Sequence, residues 1–317
     1  MSEYTKALIV VHREESKDDF REIAMRIKQL DPTICGAMAP EYISEQMLPA
    51  HFLELPLLVV YLVNPPLANP DQGIIRNADN IAVKEMSKIE EFEHFKKHNI
   101  PCLPIERFKW GMELDPAIYG DWVVLKPEHI QSTGKDVNMV PTELIPNLKL
   151  SDFPAEHLIQ NDTYYVQKFL KTGNSATYYR ALVYLGDILL SYKVEQNNHY
   201  PDYKDGLDLL LKTSVASNLQ GNRKINLVDD DHLRALAIKV ALAFPDLPLL
   251  GVDIIPDAVT GKLYVLEINA GGNTWAFTAK PSQDLRSILG LKNMILQYNA
   301  WDRAAEALVR KTHELAR

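Results

Sequence analysis

The chain is poor in cysteine, in positive charge and in long apolar runs. Its 317 residues include only Cys35 and Cys102, with no CxxC pair and no Cys/His spacing of the zinc type, which argues against disulfides and structural zinc. Lysine and arginine number 34 against 42 acidic residues, the wrong balance for nucleic acid. No stretch approaches the roughly 20 apolar residues of a membrane span. We expect a globular, cytoplasmic protein without nucleic-acid or membrane partners.

Several common catalytic motifs are also missing. The chain has no GxGxxG sequence, and the Gly-Lys pair at 134–135 has His129 where a phosphate-binding P-loop needs glycine and Asp136 where it needs serine or threonine. The sequence GNSAT at 173–177 departs from the GxSxG of a nucleophile elbow because it ends in threonine and no helix pattern follows it. These observations disfavour a P-loop enzyme and an enzyme with a serine nucleophile.

A pair of histidines has the spacing of metal ligands. His94 and His98 lie four residues apart on a predicted helix, which places them on one face. The sequence HFKKH lacks the glutamate that follows the first histidine in zinc proteases, and it falls in a last helical turn, where the helix dipole favours cations. We therefore interpret the two histidines as structural.

The first 78 residues alternate between strand and helix patterns. The apolar run at 7–11 predicts a buried strand, and apolar residues at helical spacing follow it. A second buried strand is predicted at 56–63, and the segment 64–73, with three prolines and one glycine, predicts a loop. This order of elements predicts a parallel sheet in an N-terminal α/β domain at 1–78.

After residue 78 the pattern changes to one helix and then a series of strands. The helix is predicted to end before Pro101, because proline stops helices. Its apolar stripe comprises Val83, Met86, Ile89, Phe92 and Phe95. From residue 121 onward short β-rich runs dominate, with a hairpin turn at 186–187 and helices at 231–244 and about 301–315. The second part of the chain is therefore mixed α+β.

One segment combines acidic residues with apolar strands. Two predicted strands, joined at a turn at 260–261, carry Asp253 on the first and Glu267 and Asn269 on the second. Because side chains alternate along a strand, Glu267 and Asn269 share one face. Oxygen ligands on rigid strands suit Mg²⁺, which completes its coordination with phosphate and water oxygens. Charge within an apolar strand needs a partner, so we predict a metal site here rather than solvated strand ends.

The order of the motifs resembles the ATP-grasp superfamily of carboxylate-amine ligases, especially the branch of ribosomal-protein-glutamate ligase and glutathione synthetase. The motifs are NIAVKEMSKIEEFEHFKKHNIPCLP (80–104), WVVLKP with the loop HIQSTGKDV (122–137), YYVQKFL (164–170), YYRALVYLGD (178–187), SNLQGN (217–222), and GVDII with VLEIN (251–269). The resemblance covers nearly the whole chain. It implies an ATP-grasp fold of α/β and α+β parts: an N-terminal α/β domain at 1–78, a small ATP-binding lobe at 79–169 and a C-terminal lobe at 170–317 with the metal and substrate site.

The resemblance also implies which residues bind ATP. Lys84 and Lys126 match lysines that contact the phosphates of the nucleotide, and Gly134 lies in the loop that covers them. The hinge between the two lobes, where backbone groups contact adenine and apolar side chains enclose its ring, corresponds to Gln167, Phe169 and Leu170.

Catalytic and metal-binding residues are implied in the same way. Arg180 matches an arginine that contacts the transferred phosphoryl group, and Asn218 matches an asparagine on the phosphate and substrate side. Asp253, Glu267 and Asn269 match the ligands of Mg²⁺, for which Mn²⁺ is an alternative. The implied enzyme phosphorylates a carboxylate with ATP and joins the acyl phosphate to an amine.

The implied partners are a small carboxylate and an amine, either of which can belong to a peptide, and a homo-oligomer is compatible with the sequence. Two other functions stay open. One is an ATP-grasp kinase that acts on a hydroxyl group. The other is a non-catalytic, ATP-binding regulatory module, which damaged metal ligands would favour; the three ligand positions are intact.

Overall fold

The computed structural model describes residues 4–63, 75, 78–84, 86–128, 135–200, 206–214, 223–271 and 274–317, and of residues 198 and 199 the backbone alone. The predicted loop 64–73, Gly134 and Asn218 lie outside these residues. The α-helices are α1 (Lys17–Leu30), α2 (Ala50–Leu53), α3 (Lys88–Lys97), α4 (Pro116–Tyr119), α5 (Gly206–Lys212), α6 (Asp231–Ala243), α7 (Gln283–Leu289), α8 (Leu291–Gln297) and α9 (Ala300–Leu315). Within the described ranges, no helix combines the length and the apolar composition that a membrane span requires.

The strands are β1 (Lys6–His12), β2 (Ile34–Pro40), β3 (Leu57–Tyr61), β4 (Asp79–Ala82), β5 (Ile105–Arg107), β6 (Trp122–Pro127), β7 (Asn138–Pro141), β8 (Tyr164–Lys168), β9 (Ser175–Tyr184), β10 (Asp187–His199), β11 (Arg223–Leu227), β12 (Leu249–Pro256) and β13 (Leu263–Ala270). Short 3₁₀ helices occupy Glu14–Ser16, Glu45–Met47, Thr142–Asn147, Leu150–Asp152, Leu158–Gln160 and Lys280–Ser282. These elements form three sheets among the described residues.

The first sheet is parallel, in the order β2-β1-β3-β4. Both faces of β1 are buried: Leu8 and Val10 face one apolar cluster, and Ile9 faces another. Parallel sheets are typically buried on both faces, which explains why the sequence of β1 is a continuous apolar run. The predicted strands at 7–11 and 56–63 are confirmed. Strand β2 is missed by the sequence analysis because ICGAMAP has small residues in place of β-branched and aromatic ones.

The C-terminal helix returns to the first sheet. Helix α9 begins at Ala300, within one residue of the predicted start, and packs against α1. Small side chains such as Ala304 and Ala305 lie in the shared apolar cluster and allow close approach of the two helices. Across the contact, the Arg26 guanidinium donates from Nε to Asp302 Oδ1 at 2.7 Å. The first sheet and the last helix therefore share one core.

The other two sheets are antiparallel, with the orders β5-β8-β6-β7 and β11-β10-β9-β12-β13. The first of them lies within the predicted small lobe and the second within the predicted C-terminal lobe, while β4 pairs with β3 beyond residue 78. The domain boundaries themselves stay a prediction. The segment between β8 and β9 joins the two antiparallel sheets, and its Lys171 carbonyl accepts a hydrogen bond from the Ala258 N–H at 2.9 Å.

One predicted helix begins later than its apolar stripe indicates. Val83 and Met86 were placed on the stripe, but α3 starts only at Lys88. The preceding residues pair with β3, and Ser87 caps the helix in a reciprocal bond with Glu90. Strand pairing and capping thus overrode the apolar spacing. The helix predicted at 231–244 is confirmed as α6, whose N-cap Asp230 accepts a hydrogen bond from the Leu233 N–H at 2.8 Å.

Candidate active site

A row of polar side chains crosses the five-stranded sheet. Tyr192 on β10 lies opposite Arg180 on β9, Arg180 lies opposite Asp253 on β12, and Asp253 lies opposite Glu267 on β13. Residues directly opposite each other in antiparallel strands point to the same face. The Arg180 guanidinium donates from Nε to Asp253 Oδ1 at 2.6 Å and from Nη2 to Oδ2 at 2.5 Å. This is the forked geometry in which arginine binds carboxylates most strongly.

Asn269 joins this row from the same strand as Glu267. Its Nδ2 donates to Asp253 Oδ2 at 3.1 Å. An irregularity in the pairing after Asp253 and Glu267 lets Leu266 bulge out of register, so that Ile254 lies opposite Val265. The predicted convergence of Asp253, Glu267 and Asn269 is therefore present, and their role as metal ligands remains a prediction.

Helix α3 contributes a second pair of charges. Lys88 Nζ lies 2.9 Å from Glu91 Oε1, 3.6 Å from Glu267 Oε2 and 3.2 Å from the Ile268 carbonyl oxygen. Glu91 is buried, and its Oε2 accepts a hydrogen bond from the Ile268 N–H at 3.2 Å. Lys88 and Glu91 are three residues apart and share one face of the helix. That face points at the strand that carries Glu267 and Asn269.

The small antiparallel sheet completes the site. Lys126 lies near the end of β6, and Gln167 lies on the neighbouring strand β8, where it is 4% exposed. Both residues line a cavity between this sheet, α3 and β13. The lining consists of Lys88, Glu91, Phe92, Phe95, Cys102, Leu103, Ile105, Lys126, Gln167, Val265, Leu266 and Glu267. The lining combines apolar side chains with the charged groups of Lys88, Glu91, Lys126 and Glu267 and the amide of Gln167.

Burial and neighbouring charges shift the pKa values of the two lysines and of Glu91 in opposite directions in this cavity. Burial alone would lower the pKa of Lys88, but Glu267 and Glu91 outweigh burial and raise that pKa above its usual value. Burial lowers the pKa of Lys126, and Glu267 opposes the change. Burial also raises the pKa of Glu91 to about 7, against the effect of Lys88. The two lysines thus lie in a dry, charged environment suited to a polyanion.

The pKa values of the two carboxyl groups in the row, Asp253 and Glu267, shift in opposite directions. Burial raises the pKa of Asp253, and the forked bond from Arg180 opposes that rise. For Glu267, burial would raise the pKa, but the cations Lys88, Lys126 and Arg180 lower it. Glu267 is therefore the carboxylate that its neighbours keep ionised most strongly.

The donor set fits a hard divalent cation. Arg180 and Asn269 occupy both lone-pair directions of Asp253 Oδ2 but only one of Oδ1, so Asp253 retains one acceptor site. Glu267 is hydrogen-bonded by the Asn269 side chain and approached by Lys88 at 3.6 Å, longer than a hydrogen bond, so that its carboxylate retains acceptor positions. No cluster of three or more histidine, cysteine or acidic side chains arranged for a metal occurs in the described ranges. Two carboxylates and an amide nevertheless suit Mg²⁺, which needs few protein ligands.

The remaining predicted residues fall in different places. Lys84 is exposed after β4 and does not line the cavity, where Lys88 lies instead. Phe169 and Leu170 lie partly buried in the segment between β8 and β9, and Phe169 packs edge-on against Tyr200 with ring centroids 5.0 Å apart. Their roles toward a nucleotide stay predictions, as do those of Gly134 and Asn218, which the structure does not describe.

His94 lies near the end of α3, and His98 is the residue after that helix. His94 Nε2 lies 2.6 Å from the carbonyl oxygen of Ala243, the last residue of α6, and the His94 ring packs at a tilt of 36° against Phe244 with centroids 4.3 Å apart. This contact satisfies a carbonyl that the helix end would otherwise leave without a partner. The structural interpretation of His94 is therefore supported.

Sequence reasoning missed Lys88 and Glu91, although a signal was present. Ser87 and Glu90 form the S-x-x-E pattern of a capping box, which sets the first helical residue at Lys88. Counted from there, Lys88, Glu91 and the buried Phe95 follow at i, i+3 and i+7, on one helix face. The capping box would have corrected the helix start and pointed to Lys88 as a second candidate lysine beside Lys84.

Neither a protein-family model nor a curated protein matches the chain. Solved structures do. D-cycloserine synthetase DcsG matches with 15% identity and a TM-score of 0.51, over 96% of this chain and 99% of its own. ATP-grasp ligase PsnB complexed with a minimal precursor matches with 12% identity and a TM-score of 0.52, over 97% and 99%. A RiPP-associated ATP-grasp ligase of Chryseobacterium gregarium, in complex with ADP and a leader and core peptide, matches with 11% identity and a TM-score of 0.51, over 97% of each chain. The chain therefore has the ATP-grasp fold that its motifs predicted.

Proposed function

We propose that this protein is an ATP- and Mg²⁺-dependent ligase that joins a carboxylate to an amine through an acyl phosphate. The observation that carries the proposal is that Glu267, in one row with Arg180 and Asp253, lines a cavity together with Lys88 and Lys126 in an ATP-grasp fold. The row and the two lysines are arranged to bind a polyanion together with a divalent cation.

In the proposed reaction, a substrate carboxylate oxygen attacks the γ-phosphorus of ATP, and the bond from that phosphorus to the β,γ-bridging oxygen breaks to release ADP. An amine then attacks the acyl carbon, loses a proton and displaces inorganic phosphate. No side-chain nucleophile is required, because catalysis consists of positioning and charge stabilisation. This agrees with the absence of a serine or cysteine catalytic motif in the sequence.

Each charged residue has a distinct proposed task. Lys126 and Lys88 bind phosphate oxygens as point charges, so that Lys88 takes the task first assigned to Lys84. Arg180 stabilises charge on the transferred phosphoryl group from its fixed position against Asp253. Asp253, Glu267 and Asn269 would hold Mg²⁺, which when bound neutralises charge on the phosphates.

The proposed adenine site lies on the side of the cavity formed by β8. Gln167 faces the cavity there, and the chain continues into Phe169 and Leu170 at the junction of the two antiparallel sheets. We propose the same tasks for Gly134 and Asn218 as their motifs imply, over the phosphates and beside the substrate.

The ligase proposal is favoured over its two alternatives by different observations. The matched ATP-grasp structures are described as ligases or a synthetase, which favours carboxylate chemistry over phosphorylation of a hydroxyl. The intact charged row disfavours a non-catalytic module, because such a module has no need of buried carboxylates in this arrangement. Two of the matched structures contain a precursor or a leader and core peptide, so a peptide is a proposed substrate beside small carboxylates and amines.

The test has two stages. Titration calorimetry with ATP and ADP, with and without Mg²⁺, should show nucleotide binding that needs Mg²⁺ for full affinity. Phosphate release from ATP is then screened with pools of amino acids, small carboxylates and peptides, and products are identified by mass spectrometry. A protein with no affinity for either nucleotide at millimolar concentration contradicts the proposal. Transfer of phosphate to a hydroxyl, without condensation, supports the kinase instead.

A further inference from the structure

The strand that carries Glu267 and Asn269 lies at an edge of its sheet. Strand β13 pairs with β12 on one side, and helix α3 lies along its other side. At Ile268, between the two residues, the main chain has both groups satisfied by side chains of α3. The Ile268 N–H donates to Glu91 Oε2 at 3.2 Å, and Lys88 Nζ donates to the Ile268 carbonyl oxygen at 3.2 Å. The same side of β13 bonds to the main chain of Pro101 through the Val265 N–H at 2.8 Å, and at Ile268 the side chains of Glu91 and Lys88 take the place of such a main-chain partner.

Glu91 also determines where the Lys88 ammonium lies. The ammonium is 2.9 Å from Glu91 Oε1 but 3.6 Å from Glu267 Oε2, so its short ion pair is with Glu91. The Glu91 carboxylate is 3% exposed and uses one oxygen for the ammonium and the other for the main chain. A buried carboxylate with two such bonds is held in one geometry.

We propose that Glu91 is a positioning residue that holds Lys88 away from Glu267 and so leaves Glu267 available to a divalent cation. The inference rests on the proposed function, because it assigns a task within the same site. Without the negative charge of Glu91, the nearest carboxylate for the Lys88 ammonium is Glu267, and the ammonium then competes with the cation for that oxygen. Glu91 thereby sets the affinity for the metal without contacting it.

The number of charges in the site supports this role of Glu91. Among the described residues of the cluster, three cations, Lys88, Lys126 and Arg180, face three carboxylates, Glu91, Asp253 and Glu267. Above neutral pH, where the Glu91 carboxyl is ionised, Glu91→Gln removes one negative charge while its side-chain carbonyl oxygen still accepts from the Ile268 N–H. The strand geometry is thus retained, and the change isolates the electrostatic task from the structural one.

The experiment measures binding of Mn²⁺ in the presence of ADP, by the loss of the electron paramagnetic resonance signal of free Mn²⁺, so that no turnover is needed. We expect Glu91→Gln to raise the Mn²⁺ dissociation constant about 10-fold, the lower end of the range for residues one step removed from a metal. Lys88→Met removes the competing ammonium together with a proposed phosphate contact, so its Mn²⁺ affinity, measured at saturating ADP, is the reference for the double variant. The double variant should bind Mn²⁺ as tightly as Lys88→Met, because no ammonium remains to occupy Glu267.

Glu93→Gln is the matched control, since Glu93 lies on the same helix but is exposed and paired with Lys96. It should leave Mn²⁺ affinity unchanged. If Glu91→Gln binds Mn²⁺ as tightly as the control, the inference is wrong. It is also wrong if Glu91→Gln weakens Mn²⁺ binding in the Lys88→Met background as much as it does in the unmodified protein. If the unmodified protein binds no Mn²⁺ with ADP, the proposed function itself fails, and the inference fails with it.

Discussion

Two buried aspartates show how this molecule uses negative charge in two different ways. Asp19 on α1 is 1% exposed and accepts hydrogen bonds from Trp275 Nε1 and Thr278 Oγ1 at 2.6 Å each, and from Trp301 Nε1 at 3.2 Å. Asp253 is 5% exposed and is held by the forked bond of Arg180. The direct partners of Asp19 in the described structure are thus neutral, whereas those of Asp253 include a cation.

Asp19 holds a helix in place, whereas Asp253 belongs to the candidate active site. Neutral donors from an aromatic cluster satisfy the Asp19 oxygens and fix α1 to the segment that follows β13. Asp253 instead belongs to a row of charges in which Glu267 lines the cavity, and Asp253 itself retains one acceptor site. Burial raises the pKa of both carboxyls, opposed by Thr278 and Trp275 at Asp19 and by Arg180 at Asp253. Partner chemistry, rather than burial, distinguishes the two tasks.

The largest expected effect is at the charged row. Glu267→Gln retains the side-chain shape but removes the charge that would hold Mg²⁺, so we expect turnover to fall at least about 100-fold, more than for residues one step removed from a metal. ATP-dependent phosphate release with the identified substrates measures it, and circular dichroism checks the fold. Asp257→Asn, in the exposed turn between β12 and β13, is the control. Near-normal turnover with unchanged Mg²⁺ dependence would remove the metal assignment.

Smaller losses of turnover and nucleotide affinity should distinguish Lys126 from Arg180, the two cations that we propose to face the nucleotide. Lys126→Ala is expected to weaken nucleotide binding and turnover together, about 10-fold each, because a point charge on phosphate acts in the ground state and in the transition state. Arg180→Lys retains a charge beside Asp253 but loses the fork, and should lower turnover more than affinity. Calorimetry and steady-state kinetics on both variants distinguish them. Equal losses of ATP affinity in the two variants would contradict this division of tasks.

Sequence reasoning reached the charged row because its signal is local. Strand alternation brings Glu267 and Asn269 to one face, but a regular hairpin would set Asp253 opposite Leu266, and the bulge at Leu266 is needed to set Asp253 opposite Glu267. Lys88 and Glu91 depend on where a helix starts, which a strand pairing and a capping box decide. The Asp19 anchor joins residues more than 250 positions apart, and no local pattern encodes such a contact.

Asp19→Asn tests whether the hydrogen bonds of Asp19 stabilise the fold. The amide oxygen can replace one carboxylate oxygen, but the amide nitrogen would face an indole N–H, so we expect the free energy of unfolding at neutral pH to fall by about 1–2 kcal/mol. Nucleotide affinity should not change. Urea denaturation and calorimetry measure the two quantities. A loss of nucleotide affinity without a loss of stability would mean that Asp19 acts in the site after all.

The anchor also has a pH signature. Because burial raises the pKa of folded Asp19 above its unfolded value near 3.8, the folded state binds more protons in that interval, and the contribution of Asp19 to stability falls as pH rises through it. Denaturation of the unmodified protein and of Asp19→Asn, from pH 3.5 upward in about one-unit steps, should show their stability difference change in that direction. A difference that is constant with pH would show that the pKa of Asp19 is not raised.

The smallest expected change of stability lies at the contact between β12 of the candidate site and the segment that leads to Asp19. The segment that carries Trp275 and Thr278 to Asp19 begins at Thr274, whose hydroxyl donates to the Asn269 carbonyl oxygen at 3.2 Å. A Cβ on Gly251 would lie 2.9 Å from the Thr274 Cγ2 methyl, so Gly251→Ala must displace that methyl, at about 1 kcal/mol of stability. Thr274→Ser removes the methyl and keeps the hydroxyl, and the double variant should recover most of the loss. Additive losses in urea denaturation would show that the contact does not couple the two residues.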